Sequence, residues 1–154
     1  IRKSVARDCN QDIGRYLRYD IQAEKGSMFN TPPVFPIYMV GKVLKWMRDI
    51  GGIDVIERMS NEKAADLYQA IDNSEGFYRC PVDEASRSVM NVVFRLPSED
   101  LEKTFISEAS EAGLLNLKGH RSVGGIRASI YNAMPADGVR ALTDFMAAFR
   151  SSHS

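Results

Sequence analysis

The chain has 154 residues, enough for one domain of ordinary size or for a small domain joined to part of another. Apolar residues make up 44% of the chain and charged residues 26%, which is typical of a globular protein. Its 20 acids balance its 20 lysines and arginines, and a net charge of zero argues against a general binder of nucleic acids or membrane surfaces. No apolar run approaches the roughly 20 residues that span a bilayer, and the polar start of the chain predicts no signal peptide.

Two helices are predicted in the first half of the chain. Residues 26–36 contain three prolines and a glycine, which predicts an ordered loop that enters a helix with Pro36 in its first turn. Apolar residues then recur at helical spacing until Gly51 and Gly52, because glycine tolerates the left-handed conformation that ends helices. A second helix follows, and its predicted buried face consists of Ile56, Met59, Leu67 and Ile71.

The second half predicts alternating short strands and helices. The predicted strands lie at residues 77–78, 89–94, 114–117 and 126–131. Ser98 is the predicted N-cap of one helix, because acids fill the turn that follows it. Pro135 opens the last helix, and its predicted buried stripe is Val139, Leu142, Met146 and Phe149. This order predicts an α+β layer, with helices packed on one face of a small, mainly antiparallel sheet.

Cysteine and histidine usage predicts neither disulfides nor a metal site. Cys9 and Cys80 lie far apart with no ligand-like spacing, so we expect two reduced thiols and a cytoplasmic protein. The second of the two histidines, His153, lies in a polar tail that we expect to fray, and no zinc site is predicted. The chain begins with Ile1 rather than methionine, so we expect a fragment or a processed chain.

One basic segment predicts an anion site. Residues 112–136 contain no acid but include Lys118, His120, Arg121 and Arg127, with glycines between them. Glycine lets backbone N–H groups approach a ligand, and guanidinium groups bind carboxylate and phosphate oxygens two at a time. We therefore expect a ligand with more than one acidic group. The alternative is a solvated basic loop whose charges pair with acids elsewhere.

A second candidate site is the pair Asn30 and Thr31, directly before Pro32 and Pro33. An amide, a hydroxyl and free backbone donors ahead of a helix start can bind an oxyanion. The alternative is a plain turn, since asparagine and proline are ordinary turn residues.

Two long motifs resemble those of one enzyme family. GHRSVGGIRASIYNAMP, at residues 119–135, closely resembles the C-terminal signature of the phosphoserine aminotransferases. SMFNTPPVFPIYMVGKVLKWM, at residues 27–47, resembles the segment that leads into the long interdomain helix of that family. The blocks IDNSEGFYRCPV, SRSVMNVVFRL and VRALTDFMAAF are also similar to family blocks, in the same order and without large gaps.

The resemblance implies a class V aminotransferase with an aspartate-aminotransferase-like fold, and a homodimer with active sites at the subunit interface. It implies pyridoxal 5'-phosphate as the cofactor. The implied reaction transfers an amino group from glutamate to 3-phosphohydroxypyruvate, giving phosphoserine and 2-oxoglutarate in serine biosynthesis. Residues 1–50 would be the C-terminal end of the large cofactor domain with the interdomain helix, and residues 51–154 would be the small C-terminal domain.

The resemblance also implies roles for the candidate residues. Asn30 and Thr31 match the pair that reaches across the dimer to the cofactor phosphate of the other subunit. His120 and Arg121 match residues that bind the substrate phosphate. Arg127 matches the arginine that holds the substrate α-carboxylate, so the acid-free segment is explained by a substrate with two acidic groups.

The Schiff-base lysine of the family lies upstream of the segment matched here, and none of the lysines in this chain lies in its sequence context. That lysine binds the cofactor and moves a proton during the reaction. We therefore expect no catalytic residue in this chain and no transamination by it alone. The alternative is a non-catalytic domain that binds an anion or dimerises.

Overall fold

The computed structural model of the protein describes residues 2–8 and 10–153, apart from the side chain of Arg7. The prediction for the thiol of Cys9 lies outside the described residues. The helices are Lys3–Arg7 (α1), Tyr19–Glu24 (α2), Val34–Asp49 (α3), Ile53–Asp72 (α4), Glu99–Glu111 (α5) and Ala136–His153 (α6). The strands are Asn91–Phe94 (β1) and Ile126–Ser129 (β2), and single 3-10 turns lie at Arg15–Leu17 and Glu84–Ser86. Among these helices, none is both long enough and apolar enough to cross a bilayer.

The chain divides into two compact units, Ile1–Trp46 and Met47–Ser154. The division falls within α3. The first unit contains α1, α2 and most of α3, and the second contains both strands and the remaining helices. The assignment of residues 1–50 to a large domain and of residues 51–154 to a small domain stays a prediction.

Helix α3 follows the proline-rich loop, with Pro36 in its first turn as predicted. It ends at Asp49, ahead of Gly51 and Gly52, whose φ angles of 115° and 87° favour glycine. No residue of α3 is buried. Its exposed large apolar residues are Val34, Phe35, Ile37, Tyr38, Met39, Val40, Val43, Leu44 and Trp46. So many exposed apolar side chains on one helix are typical of a contact surface.

Helix α4 packs against α6 and β1. Three residues of its predicted buried face are buried, namely Ile56, Leu67 and Ile71. The prediction is wrong at Met59, which is 37% exposed. Ser60 and Lys63, each only 2% exposed, belong to the buried stripe instead. With 3.6 residues per turn, these two positions lie closer to the line of the other buried residues than Met59 does.

The two strands are antiparallel, and their register determines which side chains face the core and which face away from it. Val92 lies opposite Ala128 and Phe94 lies opposite Ile126, and all four side chains are buried. Side chains alternate between the two faces of a strand. Arg127 and its partner residue Val93 therefore lie on the other face of the sheet, where both are half-buried.

Two predicted strands are wrong. Residues 77–78 form no strand, because the backbone N–H groups of Phe77 and Tyr78 donate to the carbonyl and hydroxyl oxygens of Ser74, at 3.1 and 2.8 Å. The buried Tyr78 side chain donates its hydroxyl to the carbonyl oxygen of Met146 at 2.9 Å. Only an isolated bridge between Arg79 and Arg95 follows. Residues 114–117 form no strand either, since Asn116 has a φ of 62° and this left-handed conformation interrupts an extended run.

The last two helices begin and pack as predicted. The Ser98 hydroxyl accepts a hydrogen bond from the backbone N–H of Leu101 and caps α5. The predicted stripe of α6 is buried at Val139, Leu142, Met146 and Phe149. The prediction of a frayed His153 is wrong, because its ring stacks on Phe149 with centroids 4.1 Å apart and Nε2 lies 3.4 Å from a carboxylate oxygen of Glu108.

The core of the second unit is an aromatic cluster between the sheet and the helices. Phe105 on α5 is fully buried, and its ring makes edge-on contacts with Phe94 and Phe149, with centroids 5.8 and 5.0 Å apart. Edge-on geometry places the positive ring edge on the negative ring face. Burying a phenylalanine side chain contributes roughly 1.5–3 kcal/mol. The predicted α+β class is confirmed.

Candidate functional site

The basic segment of the chain forms a hairpin on the edge of the sheet. The backbone N–H of Arg127 donates to the carbonyl oxygen of Leu117, and that of Gly119 donates to the carbonyl oxygen of Gly125, both at 2.8 Å. Lys118 and Ile126 form an isolated antiparallel bridge between these bonds. Strand β2 therefore has β1 on one side and residues 117–119 on the other. Residues 120–124, which we call the tip loop, connect the two arms of the hairpin.

Glycines allow the two arms of the hairpin to approach closely. A Cβ atom on Gly119 would lie 2.0 Å from the carbonyl oxygen of Gly124, which no side chain can tolerate. Gly124 and Gly125 have φ angles of 75° and 72°, a conformation that favours glycine. The tip loop thus has a defined path, set by backbone geometry.

His120 organises the tip loop from within. Its carbonyl oxygen accepts hydrogen bonds from the N–H groups of Val123 at 2.9 Å and Gly124 at 2.8 Å. Its ring Nδ1 lies 2.7 Å from the hydroxyl oxygen of Ser122. The contact at Nδ1 leaves Nε2 as the ring nitrogen available to a ligand.

The cations of the hairpin form no ion pairs within the part of the chain that the structure describes. Lys118 and Arg121 are exposed, and no carboxylate of a described residue lies within 4.0 Å of their charged groups or of the Arg127 guanidinium. Lys118, His120 and Arg121 line one open cleft of about 470 Å³. The alternative of a basic loop paired with acids elsewhere is therefore not what the described residues form.

Two acids of α5, Glu99 and Glu102, line the same cleft. Glu102 forms an ion pair with Arg95, in which one of its carboxylate oxygens lies 2.6 Å from Nε of the arginine. The cleft therefore keeps a positive surplus at the tip loop. Like charges without counterions raise one another's free energy, and an anionic ligand would relieve this cost.

Arg127 is held differently from the cations of the tip loop. Its Cα belongs to the regular ladder of β2, opposite Val93. Its Nε is buried and has no hydrogen-bond partner among the described residues. A buried guanidinium nitrogen without an acceptor is costly, and a bound carboxylate would supply two acceptors in the planar geometry that a guanidinium fits. Arg127 and His120 both line a small cavity of about 100 Å³.

The second candidate pair, Asn30 and Thr31, lies in the first unit, and both residues are exposed. They precede the first turn of α3, which begins at Val34 and contains no acid. The backbone N–H of Ile37 donates to the carbonyl oxygen of Pro33, the first bond of the helical ladder. The unpaired donors of this turn and the partial positive charge of the helix start suit an anionic group.

Sequence reasoning missed two residues that support the hairpin. Arg95, next to β1, donates from Nη1 to the carbonyl oxygen of Val123 at 2.8 Å. Lys63 of α4 donates to the carbonyl oxygens of Ile130, Tyr131 and Met134, at 3.0, 2.8 and 2.8 Å, and so fixes the turn that follows β2. Burial lowers the pKa of this lysine.

Of these two residues, Lys63 stands out in the sequence and Arg95 does not. Lys63 interrupts the apolar stripe of α4, and a lysine on a buried helix face is a sign of a specific partner. Arg95 carries no such signal, because its partner Val123 lies in the tip loop, 28 residues later in the chain. Among the described residues, no group of three or more His, Cys, Asp or Glu side chains could hold a metal ion.

Comparison with known families places the chain in one of them. The model of the aminotransferase class-V family matches residues 13–142, which is most of the chain. The chain belongs to the class-V aminotransferases, and the family predicted from the two motifs is confirmed.

Within this class, the chain is similar to several phosphoserine aminotransferases. The phosphoserine aminotransferase of Laribacter hongkongensis (strain HLHK9) is 60% identical over 135 residues, which cover 88% of this chain and 38% of the relative. The structure of phosphoserine aminotransferase from Bacillus circulans subsp. alkalophilus has a TM-score of 0.92 at 47% identity, covering 100% of this chain and 43% of that one. A PLP-bound phosphoserine aminotransferase from Trichomonas vaginalis has a TM-score of 0.79 at 36% identity, covering 90% and 39%. The chain therefore spans about two fifths of the length of the relatives it matches.

Proposed function

We propose that this chain is the C-terminal portion of a phosphoserine aminotransferase. The whole enzyme would transfer an amino group between glutamate and 3-phosphohydroxypyruvate, giving phosphoserine and 2-oxoglutarate in serine biosynthesis. The observation that carries this proposal is the set of hairpin cations that have no acidic partners among the described residues, in a chain 60% identical over 135 residues to a relative with this name.

In the proposed enzyme, Arg127 binds the α-carboxylate that all amino-acid and keto-acid substrates share. Its place on the ladder of β2 fixes the backbone, and its buried, unpartnered Nε favours a planar acceptor with two oxygens. The arginine orients the substrate without taking part in proton transfer. This role predicts similar importance for both halves of the reaction.

His120 and Arg121 bind the substrate phosphate in the proposal. Both lie on the tip loop and line the same cleft, and Arg121 forms no ion pair among the described residues. A phosphate group offers three acceptor oxygens and up to two negative charges. The tip loop would therefore distinguish phosphorylated substrates from unphosphorylated analogues.

The proposed cofactor is pyridoxal 5'-phosphate, and the residues present fit its phosphate group. Asn30 and Thr31 are exposed donors ahead of α3, whose first turn holds no acid. We propose that they hold the cofactor phosphate of the partner subunit. When bound, this cofactor acts as the electron sink that exchange of an amino group requires.

We also propose that the enzyme is a cytoplasmic homodimer with its active sites at the subunit interface. The unburied apolar side chains of α3 support a contact with another part of the protein or with a second subunit. Cys80, the described cysteine, is a free thiol, as is usual in a reducing compartment. The mass of the whole enzyme at micromolar concentration, measured by analytical ultracentrifugation, tests the dimer.

The proposed function is tested by the substrate preference of the whole enzyme. Purified enzyme is assayed with glutamate and either 3-phosphohydroxypyruvate or hydroxypyruvate, two acceptors that differ only in the phosphate group. We expect kcat/KM to be at least about 100-fold higher for the phosphorylated acceptor, since several charge-assisted contacts are lost without it. Equal values for the two acceptors would contradict the role of the tip loop.

A second test concerns this chain by itself. A polypeptide of residues 1–154 should show no transamination, because none of its lysines lies in the sequence context of the Schiff-base lysine. Turnover by this polypeptide, or borohydride-trapped cofactor on one of its lysines, would contradict the proposal. Phosphate binding without turnover in any longer form of the protein would favour the non-catalytic alternative.

A further inference from the structure

Arg95 joins the tip loop to helix α5. Its guanidinium lies between the two, with Nη1 donating to the carbonyl oxygen of Val123 at 2.8 Å and Nε 2.6 Å from a carboxylate oxygen of Glu102. Glu102 belongs to the first turn of α5 and is only 6% exposed. The tip loop is thus tied through one side chain to a helix whose position the aromatic core fixes.

The glycines at the base of the tip loop pack directly on this side chain. A Cβ atom on Gly125 would lie 2.6 Å from Cδ of Arg95, and one on Gly124 would lie 3.1 Å from its Nη1. The loop backbone therefore lies against the arginine side chain, with no space for a side chain between them. Any displacement of Arg95 must change the path of the loop.

The end of β1 fixes Arg95 itself. Its backbone N–H donates to the carbonyl oxygen of Arg79 at 2.8 Å, and its carbonyl oxygen accepts from the N–H of Arg79 at 3.0 Å. A planar guanidinium presents its donors from separate nitrogens in a rigid fork with fixed directions, whereas an ammonium group presents three rotatable donors from a single nitrogen. The charge of Arg95 is offset by Glu102, so its main effect on the cleft is geometric.

We propose that Arg95 is a positioning residue for substrate phosphate, acting through the tip loop. It holds the backbone at Val123 so that His120 and Arg121 present their side chains to the phosphate group. Arg127 does not depend on this support, because the strand ladder holds it. This inference rests on the function proposed above and adds a residue outside the basic segment to the machinery that selects phosphorylated substrates.

The test uses the whole enzyme and compares its two half-reactions. We expect Arg95→Gln to raise KM for phosphoserine about tenfold, as loss of one charge-assisted contact at the loop would. KM for glutamate should change less than about twofold, because glutamate carries no phosphate group and its α-carboxylate keeps the contact with Arg127. The glutamate half-reaction serves as an internal check that the variant is folded.

Arg150→Gln is a matched control. Among the described residues, Arg150 also pairs with an acid and a carbonyl oxygen, namely Glu75 at 2.9 Å and Asn73 at 3.2 Å, and its side chain is 33% exposed against 32% for Arg95. It lies on α6, and none of its described contacts involves the tip loop. We expect both KM values to stay unchanged in this variant.

Two further variants separate positioning from direct binding. Arg95→Lys keeps the charge but loses the fork, so its KM for phosphoserine should rise as in Arg95→Gln, and full rescue by lysine would overturn the proposal. The double variant Arg95→Gln, Arg121→Ala should raise KM for phosphoserine by less than the product of the two separate increases, because both substitutions weaken the same contact between the tip loop and the phosphate group. Multiplicative losses would show that Arg95 acts independently of the loop and would also overturn it.

If Arg95→Gln does not fold, Glu102→Gln provides the same test from the other end of the contact. It removes the charge that holds the guanidinium and should raise KM for phosphoserine severalfold with glutamate unaffected. Equal effects on the two substrates would contradict the positioning role. A wild-type enzyme that does not use phosphoserine would instead contradict the proposed function, so the two failures are distinguishable.

Discussion

The ammonium nitrogen of Lys63 donates a 2.8 Å hydrogen bond to the carbonyl oxygen of Met134, which lies 71 residues later in the chain. The same nitrogen donates to the carbonyl oxygens of Ile130 and Tyr131. One buried side chain on α4 thus satisfies three backbone acceptors in the turn between β2 and α6. Because β2 also carries Arg127, this contact connects the stability of the unit to the geometry of the site.

Replacement of Lys63 by methionine should destabilise the protein by about 1–3 kcal/mol, because buried carbonyl acceptors lose their donor. The measurement is the free energy of unfolding in urea for the whole enzyme. Lys103→Met is a matched control, since Lys103 lies exposed on α5 and its one ion pair among the described residues is with Asp100 on the surface. We expect a change within about 0.5 kcal/mol there. Equal decreases in the free energy of unfolding in the two variants would show that the buried hydrogen bonds of Lys63 do not stabilise the protein.

The stability contributed by Lys63 should depend on pH in the alkaline range. Burial lowers the pKa of its ammonium group below the ordinary value of 10.5, so between the folded and unfolded pKa values the unfolded chain binds more protons. The free energy of unfolding of the wild type, relative to Lys63→Met, should therefore rise as the pH increases toward 10.5 and be constant above it. A relative stability that falls with pH would mean that the three carbonyl oxygens outweigh burial and raise the pKa.

Replacement of Arg127 by alanine should weaken every amino-acid and keto-acid substrate in the whole enzyme. All of them carry an α-carboxylate, and the lost contact should lower kcat/KM by about 10- to 150-fold, or about 1.5–3 kcal/mol. Separate measurement of the glutamate and phosphoserine half-reactions checks this expectation. A loss confined to one of the two substrates would assign Arg127 to a side-chain group of that substrate instead.

Replacement of Arg121 by alanine should affect phosphoserine more than glutamate. Arg121 lies on the tip loop without an ion pair among the described residues, and the phosphate is the group that only one substrate carries. We expect kcat/KM for phosphoserine to fall by about tenfold or more, with a smaller loss for glutamate. Equal losses in the two half-reactions would argue against the division of roles between Arg121 and Arg127.

Local patterns of the sequence predicted several parts of the fold correctly. The N-cap at Ser98, the helix end at Gly51 and the buried stripe of α6 depend on contacts within a few residues, and these are visible in one segment. The α+β class and the family follow from the order of such segments and from the two motifs.

Sequence patterns gave wrong predictions where contacts between distant parts of the chain determine the local structure. Residues 77–78 are predicted to begin a strand, but the Tyr78 ring fills the core and its hydroxyl donates to the carbonyl oxygen of Met146 of α6. His153 was predicted to fray, but stacking on Phe149 and the proximity of Glu108 hold it in the last turn. In both cases packing against another element outweighed the local preference.

For the candidate site, the sequence by itself determined where cations occur without neighbouring acids, and the residues that we propose to carry the chemistry follow from that pattern. The absence of acids around Lys118, His120, Arg121 and Arg127 predicted an anion site, and the motif assigned roles that stay proposals. Only the tertiary structure decided how these residues are supported. The contacts of Arg95 with Val123, and of Lys63 with the turn after β2, join segments far apart in the chain. Composition and periodicity describe each segment separately, and a hydrogen bond between distant segments exists only once the chain has folded.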